Sequence, residues 1–279
     1  MSFELNSIIN AGDDYAPPRI LVYATHGLGK TTFGASFESP ILLRIEDGAS
    51  AIDVPTFPHK AESYADISAA INALHGEHRY KTLVLDSLDW AEPLIQKYTC
   101  DRLDINALAD IGYGGGYLEA DSDWRYLMGG LDSLRLNKGM SIVLIAHAEV
   151  KKFEPPDGEA YERYQIKLQK RVSALWQEWA DAILFCNYQR SVIAVGGNGE
   201  KNKKFRADST GERVIYTEER PAYTAKNHWS LPPSIYIGHD KTWSAFHQAL
   251  HAATKGKYLL PGGLAPAIDN QINPPAQAE

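Results

Sequence analysis

The sequence predicts an α/β fold, a mainly parallel central sheet flanked by helices, with a β-hairpin extension near the carboxyl end. Three observations predict it. From residue 20 to 147, short apolar runs alternate with segments of helical periodicity, the pattern of strand–helix–strand units. The runs are unbroken rather than alternating, which means burial on both faces of the sheet. Each run also ends in a polar group, at the edge where such sheets bind ligands.

In order along the chain, residues 1–18 read as an arm closed by Pro17-Pro18. Phe3, Leu5, Ile8 and Ile9 on that arm suit docking on a neighbour or folding back on the same subunit. Ile20–Tyr23 is the first strand, and Thr32–Phe37 can start a helix. Ile41–Ile45 is a strand ended by Glu46-Asp47-Gly48. Tyr64–His75 carries Ile67, Ala70, Ile71 and Leu74 at helical spacing. Thr82–Leu85 is a strand ended by Asp86-Ser87, and Trp90–Leu103 can be helical with Pro93 near its first turn. Gly112–Gly116 is a glycine-tyrosine loop, and Trp124, Leu127, Leu131 and Leu134 mark a further helix. Ser141–Ala146 is a strand ended by His147.

Beyond that the character changes. Lys151–Tyr164 carries Pro155, Pro156 and Gly158 and reads as a loop. Val172–Trp179 is helical and Ala182–Cys186 a strand. Ser191–Val195 and Arg213–Thr217 flank a Gly/Lys-rich connection, as in a hairpin with a long tip. Trp243–Ala253 is the final helix, and residues 256–279 read as a flexible tail. The expected division is thus an arm at 1–18, one domain at 19–255 and that tail.

Composition narrows the function classes. The 279 residues have an apolar fraction of 44% and a net charge of −7, which weakly disfavours a protein that coats nucleic acid. Basic residues do cluster locally. Residues 201–213 hold five basic and two acidic groups, and Lys151–Arg171 six and four. The amino terminus lacks the basic start and apolar stretch of a secretory signal, and no run approaches a membrane span. Cys100 and Cys186 read as buried free thiols, which suits a reducing cytoplasm.

The chemistry concentrates in residues 21–33, LVYATHGLGKTTF. Glycines that free the backbone, followed by a lysine and a hydroxyl, suit a loop wrapped around the phosphates of ATP. Gly27, Leu28, Gly29, Lys30, Thr31 and Thr32 form this expected site, with Lys30 on the outer phosphates and Thr31 on Mg²⁺. The full pattern G-x-x-x-x-G-K-S/T has a glycine where this chain has Ala24, the smallest departure. Asp86, after four apolar strand residues, suits Mg²⁺ binding. Glu46 is the expected general base, with Asp47 its competitor. His147 suits contact with the terminal phosphate.

These residues resemble the RecA-like ATPase core. The order GLGKTT, IEDGASAID, TLVLDSLDW and IVLIAHAEV carries the likeness. More closely, the chain is similar to phage-encoded ATP-binding proteins of the Sak-type single-strand annealing group. The strings EDGASAIDVPTFP, YGGGYLEADSDWR, VLIAHAEVKKFEPPDGEAYERYQIKL, EWADAILF and TGERVIYTEERPAYTAKN carry that likeness, which spans residues 19–250.

The resemblance implies a slow, DNA-stimulated Mg-ATPase that binds single-stranded DNA as a ring or filament of identical subunits. Annealing or strand exchange in the host bacterial cytoplasm would follow, with help from a single-strand-binding protein. It implies Glu46 as catalytic glutamate and His147 as sensor. Residues 109–120 and 151–164 would be DNA-facing loops, and Lys226 a finger inserted into a neighbour's site. Arg213 and Arg206 are the other finger candidates. The rival reading is a nucleotide-dependent adaptor in phage replication or packaging, with little turnover and no direct DNA contact. A small-molecule kinase fits less well, because no acceptor lid stands between the motifs.

Overall fold

A computed structural model describes residues 16–48, 52–195, 204–237, 242–262 and 264. The expected docking residues of the arm, the tip between 196 and 203, most of the tail and the side chain of Arg206 lie outside the described residues.

The first strand, β1 (Arg19–Ala24), lies at the centre of the sheet and is flanked on one side by β4 (Ser141–Phe153) and on the other by β6 (Ala182–Val195), both parallel to it. β3 (Thr82–Asp86) lies beyond β4, and β2 (Pro40–Arg44) beyond β3, again in parallel. On the far side, β7 (Lys204–Tyr216) pairs antiparallel with β6, and β9 (Ser234–Ile237) with β7. The order is β2-β3-β4-β1-β6-β7-β9, with β5 (Tyr161–Ile166) on β4 and the short β8 (Lys226–Asn227) on β6.

The unbroken apolar strands split by the period of two between two cores. Leu21, Tyr23, Leu83, Leu85, Ile142 and Leu144 face one side, against α2 (Tyr64–Ala73), α3 (Leu88–Leu103), α4 (Gly115–Lys138) and α5 (Lys170–Trp179). Ile20, Val22, Val84, Val143 and Ile145 face the other side, against Phe33 of α1 (Lys30–Ala35) and Phe246 and Leu250 of α6 (Ser244–Ala253). The second layer is thin, so α1 must sit close to the sheet. A Cβ at Gly34 would lie 2.5 Å from the Val84 side chain, and glycine removes that clash.

Several expectations need correction. Of the loop expected at Lys151–Tyr164, only residues 154–160 connect strands without belonging to one. β4 runs straight through His147 to Phe153 and pairs with β5, from Ala148↔Ile166 to Phe153↔Tyr161. The ring contact of Phe153 with Tyr161 and the Arg163 guanidinium over Phe153 hold this hairpin together. His147 is therefore inside a strand rather than at its end. Gly112–Gly114 forms a short 3-10 turn and Gly115 already begins α4. Cys100 is only partly buried, whereas Cys186 is buried. The fold also continues past the boundary expected at 255, because Tyr258 is buried and its hydroxyl shares a 2.8 Å hydrogen bond with His247 Nδ1. Among the described residues, no helix is long and apolar enough to cross a membrane.

Candidate active site

β1 delivers the chain to the carboxyl edge of the sheet. Ala24 is its last strand residue, fully buried and paired with His147 on one side and Cys186 on the other. The turn begins only after it, so alanine is tolerated where the motif has glycine. The backbone then takes left-handed values at Gly27 (φ 78°) and Gly29 (φ 88°), a region that side chains disfavour. Leu28 between them is 1% exposed and anchors the loop in the second core. Thr32 Oγ1 donates to the Gly29 carbonyl at 2.7 Å.

Lys30 turns back into the loop. Its ammonium donates to the carbonyls of Thr25 (3.2 Å) and Ala24 (3.4 Å). Burial pulls its pKa down, while Glu46, Asp86 and Asp89 pull it up and only partly offset that. Thr31 Oγ1 donates to Asp86 Oδ2 at 2.6 Å, bridging the loop to the end of β3. Burial pushes the Asp86 carboxyl up, against the hydrogen bond from Thr31 and the charge of Lys30.

Glu46 is drawn in by the backbone. The amides of Ile45 and Glu46 both donate to the Asp86 carbonyl, at 2.7 and 3.3 Å. Glu46 Oε2 lies 3.4 Å from Ser87 Oγ and 3.7 Å from His147 Nδ1. Burial first, and Asp86 second, push its pKa up. Asp47 points away, 88% exposed and 2.9 Å from Lys60 Nζ.

Asp89, in the first turn of α3, organises the histidine. The His147 amide donates to Asp89 Oδ1 at 3.1 Å, and Nδ1 lies 2.9 Å from Oδ2. Burial pushes the Asp89 carboxyl up, yet its hydrogen bonds and charge contact with His147 outweigh this and hold it low. The other face of the His147 ring meets His26 of the loop, with centroids 4.5 Å apart. His147 in turn lowers the His26 pKa. The signal for Asp89 was its place three residues after Asp86, in the first turn of α3.

Thus Lys30, Thr31, Asp86, Glu46 and His147 meet along one rim. Among the described residues Asp86 Oδ1 is buried and has no hydrogen-bond partner, an orphan that a cation or its water would satisfy. Among the described residues, no group of three or more His, Cys, Asp or Glu makes a protein cage for a metal. Mg²⁺ needs none, since it keeps waters and takes one or two protein ligands beside phosphate oxygens. Thr31 and Asp86 fit it.

Lys226 lies elsewhere. β8 pairs with Ala182 and Ile183, at the start of β6 and the opposite end of the sheet from the loop. Its ammonium donates to the carbonyls of Gln177 and Glu178 at the end of α5. Arg213 is the surprise, because it reaches this subunit's own loop. Its guanidinium carbon lies 3.9 Å from where a Gly29 Cβ would be. In the segments expected to face DNA, Tyr113 is fully exposed at a left-handed φ of 56° between glycines. Tyr164 instead stacks on Phe185.

The chain is similar to known proteins to different degrees. The AAA domain family (AAA_24) matches residues 16–229. An SPbeta prophage-derived uncharacterized protein, YorG of Bacillus subtilis (strain 168), is 26% identical over 173 residues. The alignment covers 60% of this chain and 49% of YorG, so the match spans about half of that relative's length. A solved structure described as the crystal structure of the RadB recombinase aligns with a TM-score of 0.46 and 11% identity, over 82% of this chain and 90% of that one. With the family match covering most of the folded chain, a phosphate-loop ATPase core at its centre, the protein belongs to the AAA domain family.

Proposed function

We propose that the protein is a Mg-dependent ATPase that acts on single-stranded DNA, as a homo-oligomer, in phage recombination by annealing or strand exchange. One observation carries the ATPase part: the convergence of Lys30, the Thr31–Asp86 pair, Glu46 and His147 on one rim.

Lys30 neutralises charge on the outer phosphates. Magnesium, when bound, supplies further charge neutralisation there, held by Thr31 and Asp86. Glu46 accepts a proton from water as the water oxygen attacks the terminal phosphorus, and the bond to the ADP oxygen breaks. Burial raises the pKa of Glu46, which makes it a stronger base than an exposed carboxylate. His147, oriented by Asp89, donates towards the terminal phosphate. β4 continues from His147 into the hairpin, so occupancy of the phosphate position is linked to a surface element.

Tyr113, held out between glycines, supports base stacking. The prophage origin of the Bacillus relative supports a phage role in a host bacterial cytoplasm, with a single-strand-binding protein as helper. Lys226 is the finger offered to a neighbour. A second reading, the adaptor without DNA contact, is favoured by one observation: Lys151 and Lys152 pair with Glu149 and Glu154 of their own strand region. Phosphate release with and without single-stranded DNA, for wild type, Lys30→Ala and Lys226→Ala, separates the two. DNA stimulation lost in Lys226→Ala supports the first reading, and turnover indifferent to DNA supports the adaptor.

A further inference from the structure

Among the described residues, no ion pair explains the place of Arg213. β7 carries it opposite Tyr188 of β6 and Ile237 of β9. Among the described residues no carboxylate is paired with it, and its Nε is buried without a hydrogen-bond partner. A buried donor is normally matched, so this one awaits an acceptor. The guanidinium lies against the loop at Gly29. A Cβ at Gly29 would meet Thr32 Oγ1 at 2.7 Å, the Trp243 indole at 3.3 Å and the Arg213 guanidinium carbon at 3.9 Å. Trp243 is 1% exposed, its own Nε1 has no partner among the described residues, and its ring packs edge-on with Phe33.

Sheet order gives the direction of a bound polyphosphate. Asp86 and Glu46 lie on the β3 side of β1, and Arg213 lies on the β7 side. A nucleotide whose terminal phosphate faces Glu46 must therefore turn its inner phosphate and nucleoside towards Arg213.

We infer that Arg213 binds the inner phosphate of a nucleoside di- or triphosphate held by its own subunit. This rests on the reading of the loop as a nucleotide site. It gives Arg213 a role distinct from a finger. A neighbour's cation at the terminal phosphate discriminates ATP from ADP and needs assembly. Arg213 recognises both nucleotides equally and needs no neighbour. The fork of guanidinium donors suits phosphate oxygens better than an ammonium.

The test is calorimetric titration of the full chain with Mg·ADP and with Mg·ATP, for wild type, Arg213→Gln and Arg213→Lys, with melting curves of each without nucleotide. Arg213→Gln should weaken both nucleotides by the same factor, about tenfold or more for the removal of a charge-assisted bond. Arg213→Lys should recover part of it, and nucleotide-free melting should not fall. Unchanged ADP affinity in Arg213→Gln overturns the inference, and so does a defect confined to ATP turnover. Weakened binding with lowered melting and no rescue by lysine assigns a structural role and overturns it as well. If wild type binds neither nucleotide, the nucleotide reading itself fails, an outcome distinct from all of these.

Discussion

At the carboxyl rim of β1, β3 and β4, the side chains of Lys30, Asp86 and Asp89 are buried and face one another across strands. On the β4–β5 hairpin, Lys151 and Lys152 stand in solvent, each beside a carboxylate close in sequence. Both regions lie on the same chain, and β4 runs through both. Buried charges interact strongly and are costly to keep, so such clusters mark sites of chemistry. Exposed pairs are worth about 0–1 kcal/mol, so they break at little cost. The rim is thus fixed by its own burial, while the hairpin's charges are held only weakly.

The sharpest way to break this contrast is at the rim. Glu46→Gln should still bind Mg·ATP but release phosphate ~10²–10⁴-fold more slowly, the usual loss for a general base. Turnover at the wild-type rate would show that the base lies elsewhere.

A second test concerns burial without chemistry. His247 contacts the hydroxyls of Ser36 and Tyr258 and the rings of Phe37 and Phe246. Burial lowers its pKa from 6.5 to about 4. The unfolded chain therefore takes up the proton first as pH falls. Stability from the neutral ring is complete above pH 6.5 and is lost progressively towards pH 4, by up to roughly 3 kcal/mol. Urea melts at several pH values should show this slope in wild type and its loss in His247→Gln.

Close packing gives the next effect. Gly34→Ala places a methyl against Val84 and should destabilise by about 1–3 kcal/mol, the cost of overpacking. Differential scanning calorimetry measures it. The smallest effect belongs to the hairpin. Lys151→Ala with Lys152→Ala should change stability by less than about 1 kcal/mol. The same pair should flatten the salt dependence of single-strand binding by about 0.7 log unit for each phosphate no longer neutralised. A flat wild-type dependence would make the hairpin a plain surface.

The legible parts were those coded by neighbours in sequence. Five strands of the sheet announced themselves as apolar runs, and the loop from Gly27 to Thr32 needed only its own residues. Helix α3 begins at Leu88, two residues before the expected Trp90, because Ser87 rather than a later residue precedes the first turn. What stayed hidden depends on distant partners. The residues after His147 look like a loop until β5 supplies their hydrogen bonds. Asp89 gains meaning only when β4 brings His147 against it. Arg213 reaches Gly29 through the register of β6 with β7, which includes an irregularity between Tyr188 and Arg190, and no local pattern encodes that. Tyr258 sits in a segment of tail-like composition, yet one ring in the second core holds it.

One strand also sets a dimension. β1 and β3 carry the two sides of the phosphate machinery, but they are not adjacent, because β4 lies between them. The gap that the Thr31–Asp86 contact must close is two inter-strand steps, about 9–10 Å. β4 is a ruler for that gap, and His147 is the mark at its midpoint. Any change that thickens or tilts this ruler alters the fit of the machinery without touching a single ligand.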